Sequence, residues 1–321
     1  MGSYKFIDLF AGIGGVRLGF DSAGCECVLT SEIDVHAQKV YFDNFNELAL
    51  GDITKIKSED IPDFDIICGG FPCQPFSMAG HKKGFDDTRG TLFFEVARII
   101  KDKRPQAFFL ENVKNLENHD GGKTFEVIKQ TLEDLGYSFY YQTINAKLIV
   151  PQNRERVFMI GFKDRTLHYQ FPHIDDLQPK AKDILEKDVD AKYTHTDMGW
   201  AAIQRHAQRH KEKGNGFGYG LVDFEGYTRT ISARYYKDGS EILVPQEGKN
   251  PRKLTPRECA RLQGYPESYK ITSSDTQAYK QFGNSVCVPL IEILAKSIVK
   301  TLDEKPLLKE PYSAKRQLSL F

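Results

Sequence analysis

Residues 63–77, which read DFDIICGGFPCQPFS, decide the fold. The stretch begins with an apolar run that predicts a buried β-strand, and the paired glycines that follow end it. Pro72 then fixes its own φ angle, and Pro75 keeps Gln74 out of the helical region, so the loop after the strand is stiff. Cys73 stands at the centre of this loop, at the strand end where open α/β sheets place their ligands.

Cys73 has two interpretations. A thiol is a nucleophile only as thiolate, and it then needs a polar, partly open setting, which Gln74, Ser77 and His81 supply. Most free cysteines are instead small buried hydrophobes, and Cys68, inside the predicted strand, fits that description. The local chemistry leaves both interpretations of Cys73 open.

Composition narrows the class of protein. The chain has 321 residues, 40% of them hydrophobic, which is enough for one large or two modest domains. Its six cysteines form no C-x-x-C pair, so we expect no zinc or other metal site. Without a signal peptide or a long apolar run, the sequence predicts a soluble, cytoplasmic protein with no membrane contact.

Charge is unevenly placed along a chain whose net charge is zero. Residues 1–70 hold 5 Lys and Arg against 12 Asp and Glu, whereas residues 201–261 hold 12 against 7. An acidic segment suits a cationic cofactor, and a basic segment suits a phosphate backbone.

A glycine-rich turn at residues 11–15 (AGIGG) separates a predicted strand at 4–10 from a predicted helix. Such a turn lets the backbone approach a ligand that the helix N–H groups face. The dinucleotide-binding fingerprint would need glycine at position 17, which is Arg17 here.

Glu32 ends a second predicted strand, where an acid can bind ribose hydroxyls. Asp52, at the end of a third predicted strand (51–54), is either a turn residue or an acceptor for an adenine amino group.

Charged side chains also mark two later strands. Glu111 ends an apolar strand at 108–113, and buried strand ends rarely hold Glu without a functional reason. Arg154 and Arg156 precede a strand at 157–161 and are either site residues or ordinary salt-bridge partners.

The second half of the chain is less regular. Residues 204–213 predict a basic helix, and residues 214–220 (GNGFGYG) predict an extended loop. Residues 228–240 carry cations, aromatics and hydroxyls, which are the residue types that contact phosphates and bases. A solvated β-hairpin turning at 238–239 is the alternative for this segment. Residues 255–264 predict a helix with a capping box and proline at its first position.

Together these motifs resemble those of the cytosine-C5-specific DNA methyltransferases along nearly the whole chain. The matching segments are Phe-Ala-Gly-Ile-Gly-Gly at 10–15, Gly-Phe-Pro-Cys-Gln-Pro-Phe-Ser at 70–77, Glu-Asn-Val at 111–113 and Gln-Asn-Arg-Glu-Arg at 152–156. The amino-acid sequence of residues 214–239 most resembles that of bacterial restriction-modification enzymes that methylate CC(A/T)GG. The resemblance implies S-adenosyl-L-methionine as cofactor and double-stranded DNA as substrate. A tRNA cytosine-C5 methyltransferase with the same catalytic motifs is the alternative.

The resemblance also implies residue roles. Cys73 is the nucleophile that adds to C6 of a flipped cytosine, Glu111 protonates N3, and Arg154 and Arg156 contact the cytosine and its phosphate. The residues implied to bind the cofactor are Phe10, Ala11, Gly12, Ile13, Gly14, Gly15, Glu32, Ile33, Asp52, Ile53, Gly70, Leu92, Asn284 and Ser285. Those implied to contact DNA are Gln74, Ser77, Thr230, Arg234, Tyr235 and Lys237.

The implied fold is an α/β, doubly wound methyltransferase sheet with an inserted, smaller target-recognition domain. We expect a catalytic domain at 1–171, a recognition domain at 172–274, a helix at 275–303 that returns to the catalytic domain, and a flexible tail at 304–321. We also expect a monomer, with any cognate restriction endonuclease acting independently.

The tail ends in Gln-Leu-Ser-Leu-Phe at 317–321. This pentapeptide resembles the segment by which bacterial proteins dock on the DNA polymerase sliding clamp. Its alternatives are a tail that folds back on its own domain, and chance.

Overall fold

The computed structural model describes residues 3–72, 92–216 and 218–304. The predictions made for Cys73, Gln74 and Ser77, and for the segment 317–321, lie outside the described residues.

A six-stranded mixed sheet forms the centre of the molecule, in the order β2-β1-β3-β4-β6-β5. Its strands are β1 (Lys5–Leu9), β2 (Glu26–Ser31), β3 (Ile66–Gly69), β4 (Ala107–Val113), β5 (Tyr140–Asn145) and β6 (Glu155–Phe162). The first four run parallel, and β6 lies antiparallel between β4 and β5. The α/β prediction is therefore confirmed, with β6 as the reversed strand.

Helices cover the sheet and build the second half of the chain. They are α1 (Gly15–Ser22), α2 (Val35–Phe45), α3 (Leu92–Lys103), α4 (Lys123–Asp134), α5 (Asp197–Glu212), α6 (Pro256–Leu262), α7 (Asp275–Asn284) and α8 (Val288–Asp303). A small hairpin of β7 (Leu243–Gln246) and β8 (Lys249–Lys253) lies between α5 and α6. None of the helices in these described stretches is long and apolar enough to cross a membrane.

Two predicted elements differ from the structure. The third strand predicted at 51–54 is wrong, because the Asp52 carboxylate accepts a hydrogen bond from the Thr54 amide (3.0 Å) and caps a short 3-10 turn instead. The basic helix begins earlier than predicted, at Asp197, because the Thr196 hydroxyl accepts from the Gly199 amide and supplies an N-cap. The predicted capping box of α6, from Thr255 to Glu258, is confirmed.

The sheet has a core on each face. One face carries Phe6 and Phe109 against α1 and α8, and the other carries Phe108 against α3 and α4. A Cβ atom at Gly19 of α1 would lie 2.5 Å from the Ile291 side chain, so only glycine allows α8 to pack this closely. Helix α8 therefore completes the sheet layer that α1 begins, while the boundaries predicted for the domains remain predictions.

A third core belongs to the second half of the chain. It groups Ile231, Leu254 and Leu262 with Ile13 and with the buried face of α2. The second half is consequently packed directly against the glycine-rich turn that follows β1.

Candidate active site

One cavity of about 440 Å³ opens where β1 to β4 end. Its lining brings together three of the residues implied to be catalytic, Glu111, Arg154 and Arg156. All but one of the residues implied to bind cofactor also line it; the exception is Gly14. Segments that are far apart in sequence therefore meet at one sheet edge, as the order of the strands requires.

The glycine-rich turn forms one wall of the cavity. Phe10 adopts a φ angle of 59°, and Gly12 one of 56°. The first value is uncommon for an aromatic residue. A Cβ atom at Gly15 would lie 2.7 Å from the Tyr265 hydroxyl, so this glycine is needed for packing against the second half of the chain. Gly14 faces away from the cavity lining, because a Cβ there would meet the ring of Phe45 at 2.3 Å.

Glu32 joins the turn to the end of β2. Its Oε2 accepts from the Gly12 amide at 2.7 Å, and its Oε1 accepts from the Asp34 amide at 2.7 Å. Two apolar side chains flank this corner: Ile33 is 69% exposed and Ile53 is buried. The corner thus presents carboxylate oxygens beside apolar surface.

Asp52 adds a second carboxylate to this wall. Hydrogen bonds from the hydroxyl and the amide of Thr54 lower the pKa of Asp52, so the group is charged at neutral pH.

Glu111 lies at the inner end of the cavity, 9% exposed, with its Oε1 3.0 Å from Nε of Arg156. The geometry is that of an ion pair and lacks the alignment of a hydrogen bond. Burial raises the pKa of Glu111, while the charges of Arg156 and Arg154 oppose that rise. A Cβ at Gly70 would lie 3.4 Å from Glu111 Oε2, so the chain leaving β3 passes directly over the carboxyl group.

Asn112 holds that passing chain in place. Its Nδ2 donates to the Phe71 carbonyl at 2.7 Å, and both residues line the cavity. The sequence analysis placed Asn112 in a motif but assigned it no role.

Arg154 joins three parts of the molecule by backbone contacts. Its Nη1 donates to the Ile231 carbonyl at 3.3 Å, and its Nη2 donates to the carbonyls of Gly283 (3.3 Å) and Ser285. Only 2% of the side chain is exposed, and burial lowers its pKa to about 9. Nε has no partner among the described residues, so its N–H is a donor left for a ligand.

The chain before Arg154 connects the cavity to the predicted recognition segment. The Asn153 amide donates to the Thr228 carbonyl at 2.9 Å, and the Ile231 amide donates to Gln152 Oε1 at 3.0 Å. Gln152 is fully buried and also donates to the Leu262 carbonyl at 3.0 Å. The motif at 152–156 contains Gln152 but does not predict these contacts, because its partners are 79 and 110 residues away.

The residues implied to contact DNA differ in solvent exposure. Arg234 and Lys237 are exposed, and the Thr230 hydroxyl donates to the Asn153 carbonyl. The prediction for Tyr235 is wrong, because its side chain is fully buried. Its hydroxyl donates to the Ile242 carbonyl at 2.7 Å and accepts from the Leu254 amide at 2.8 Å, which makes it a core residue.

The five cysteines within the described part of the chain are free thiols. They are Cys25, Cys27, Cys68, Cys259 and Cys287. Burial raises the pKa of each thiol, for Cys287 to about 11, so none of the five forms a thiolate readily at neutral pH. In the same part of the chain, no cluster of three or more His, Cys, Asp or Glu side chains could hold a metal ion.

Comparison with known proteins gives consistent matches. The family described as "C-5 cytosine-specific DNA methylase" matches residues 4–300. Type II methyltransferase M.SsoII of Shigella sonnei is 56% identical over 309 residues, covering 94% of this chain and 82% of its own. M.HhaI of Haemophilus parahaemolyticus is 44% identical over 318 residues, covering 94% and 96%. The crystal structure of S. pombe Dnmt2 methyltransferase shares the fold, with a TM-score of 0.77 at 18% identity over 94% of this chain and 100% of its own.

Proposed function

Because the chain belongs to the C-5 cytosine-specific DNA methylases, we infer that it methylates C5 of cytosine within a specific sequence of duplex DNA. It is a cytosine-C5 methyltransferase of the bacterial restriction-modification type. Relatives more than 50% identical to it are named Type II methyltransferases, which favours DNA over tRNA as the substrate.

The cavity fits S-adenosylmethionine, which when bound supplies an electrophilic methyl group. The carboxylates of Glu32 and Asp52 suit ribose hydroxyls and an adenine amino group, and Ile33 and Ile53 suit the faces of a flat ring. These side chains would hold the nucleoside part of the cofactor at the ends of β1 and β2.

The chain's own residues make C5 nucleophilic. Cytosine C5 is a poor nucleophile, so the Cys73 thiolate first adds to C6 and forms a C6–S bond. The displaced π electrons shift toward C5 and N3, and Glu111 donates a proton at N3 to relieve the charge. After methylation at C5, loss of the C5 proton to solvent restores the double bond and expels Cys73 as thiolate, and the Glu111 carboxylate takes back the N3 proton. Because these atoms are inaccessible in stacked duplex, the cytosine must flip out.

One observation carries this proposal: Pro72, the residue before Cys73, lines the same cavity as Glu111 and Arg156. The buried carboxyl has the raised pKa that a proton donor needs at neutral pH. Arg156, whose Nε lies 3.0 Å from that carboxyl, is the cation that we assign to the same base.

Trapping on DNA tests the assignment of Cys73. An oligonucleotide with 5-fluorocytosine in the site should become covalently attached to the wild-type enzyme, because C5 fluorine cannot leave as a proton does. Cys73→Ser should bind the same DNA without forming the adduct. An adduct formed equally by the serine variant would contradict the assignment.

Bisulfite sequencing defines the substrate. Plasmid and total tRNA from a methylation-deficient host expressing the protein should show 5-methylcytosine in one plasmid sequence context and none in tRNA. Modification of tRNA alone would favour the tRNA alternative, and modification in a CC(A/T)GG context would match the resemblance of the recognition segment.

We further propose that the protein acts as a cytoplasmic monomer, independently of any endonuclease.

We also propose that residues 317–321 dock on the DNA polymerase sliding clamp. A polar Gln followed by apolar anchors is the composition expected of a short docking peptide. Deleting these five residues should abolish capture by immobilised clamp and leave methylation of short duplexes intact. Capture that survives the deletion would rule the docking segment out, and a lowered melting temperature would favour fold-back.

A further inference from the structure

A buried amide on α7 borders the cavity with one donor unused. Gln281 is 8% exposed and lines the cavity. The Ser273 hydroxyl donates to its Oε1 at 2.9 Å, which fixes the orientation of the amide. Its Nε2 has no hydrogen-bond partner in the described parts of the chain. Buried donors in proteins are almost always paired, so the missing partner points to a ligand atom.

The neighbours of Gln281 indicate the charge of that ligand atom. Lys280 and Asn284 lie one helical turn apart on α7, on the side that faces the cavity, and both line it. The Lys280 ammonium group lies 5.0 Å from the centre of the Tyr236 ring, which is outside the cavity lining, so the Lys280 charge acts on a ligand from a distance. Two amides and a cation together suit an anionic acceptor.

The other walls of the cavity serve different groups. The wall with Glu32 and Asp52 presents carboxylates, which repel an anion, and the inner end holds the Glu111–Arg156 pair that faces the base. A DNA phosphate is part of a bulky duplex backbone, whereas a carboxylate can end a narrow, flexible chain that enters the cavity where Gln281 is only 8% exposed. The anion that remains is the carboxylate of the methionine part of the cofactor.

We propose that Nε2 of Gln281 donates a hydrogen bond to the methionine carboxylate of S-adenosylmethionine, with Lys280 supplying the neighbouring positive charge. This assignment rests on the proposed function, because it takes S-adenosylmethionine as the cofactor. Ser273 is then a positioning residue, since its hydroxyl turns the amide so that the NH₂ end faces the ligand.

Two ligands that differ in the amino-acid group test the proposal. Gln281→Met keeps the length of the side chain and removes its donor, and Gln277→Met makes the same change one turn earlier on α7, outside the described lining of the cavity. Binding of S-adenosylhomocysteine and of 5′-methylthioadenosine, which lacks the carboxylate, is measured by calorimetry. Gln281→Met should weaken S-adenosylhomocysteine binding by about tenfold or more, as expected for a hydrogen bond to a charged group, and leave 5′-methylthioadenosine binding unchanged.

The other outcomes are equally informative. Equal weakening for both ligands would overturn the proposal, because the amide would then support the nucleoside or the fold. Unchanged binding of both, with loss of DNA affinity, would overturn it in favour of a contact to the base. Failure of the wild-type protein to bind either ligand would contradict the proposed function itself. Gln277→Met should match the wild type throughout, and Ser273→Ala should show the same ligand preference as Gln281→Met with a smaller loss.

Discussion

The central sheet and the region of residues 172–274 position their functional groups by different means. In the sheet, the ends of adjacent parallel strands place Phe10, Glu32, Gly70 and Glu111 along one edge by backbone geometry alone. In its described residues, the second region has the short strand pair β7–β8, helices α5 and α6 and the third core, and buried polar side chains link these parts.

The ion pair between Arg252 and Glu258 is the clearest example of buried polar side chains that link parts of the second region. Their guanidinium and carboxylate groups make two hydrogen bonds, of 2.7 and 2.8 Å, with Glu258 fully buried. The same carboxylate accepts from the amides of Thr255 and Glu186. We therefore expect a change in this buried network to lower stability, and a change in Glu111 at the sheet edge to lower the rate of the chemical step.

Among the variants that test this difference between the two regions, Glu258→Gln should have the largest effect, and that effect is on stability. It breaks the buried pair and leaves Arg252 without its counter-charge, so the free energy of unfolding should fall by about 3–5 kcal/mol. Urea denaturation measures this change. Glu267→Gln is the control, because the Glu267 pair with Arg261 is largely exposed and should contribute about 1 kcal/mol or less. Equal losses for both variants would remove the distinction.

Glu111→Gln should show the opposite behaviour. Turnover should fall about a hundredfold, the usual contribution of a general acid, with little loss of stability. Its raised pKa means that Glu111 keeps its proton to higher pH than a free carboxyl, and the wild-type rate should decline as pH rises through that pKa. The variant should lack this decline. A profile that keeps the same alkaline limb would assign it to another group.

Tyr269→Phe tests where the two regions meet. The Tyr269 hydroxyl donates to the Ile13 carbonyl at 2.6 Å and so fixes the glycine-rich turn from the second region. Losing this bond should weaken cofactor binding about fivefold, equivalent to one hydrogen bond of about 1 kcal/mol. Tyr279→Phe removes a similar buried bond, to the Leu254 carbonyl at 2.7 Å, and neither of these two residues lines the cavity. Calorimetry should show the binding loss only for Tyr269→Phe, while both variants lose similar stability.

Arg234→Ala should have the smallest effect. Arg234 is exposed, so stability should hardly change, while the slope of DNA affinity against salt concentration should fall by about 1. Lys300→Ala, an equally exposed cation on α8, provides the comparison and should leave the slope unchanged. Identical slopes for the two variants would place Arg234 outside the DNA interface.

Sequence reasoning succeeded where the determinants are local. The glycine-rich turn, Glu32 and Glu111 occur within short motifs attached to strands, and the backbone geometry of parallel strands brings them together. Asp52 shows the limit of this approach, since its capping bond to Thr54 competes with the predicted strand.

Sequence reasoning failed where distant segments decide the environment. Tyr235 has the composition and position of a DNA contact, and its burial depends on Ile242 and Leu254, which no local pattern reveals. The bond from Tyr269 to Ile13 spans 256 residues. Such long-range side-chain contacts leave no local sequence signal, which is why the second region was the less predictable one.

The packing of α8 on α1 has a consequence for biosynthesis. Helix α1 precedes α8 in the chain, so the part of the Phe6 and Phe109 face that α8 covers stays open until all the intervening segments have emerged from the ribosome. The hydroxyl of Tyr4 finally lies 3.0 Å from a carboxylate oxygen of Asp303. A circular permutant that joins these neighbouring ends through a short linker and opens the chain in an exposed loop would deliver α8 directly before β1. The nascent sheet would then acquire its cover as soon as it forms.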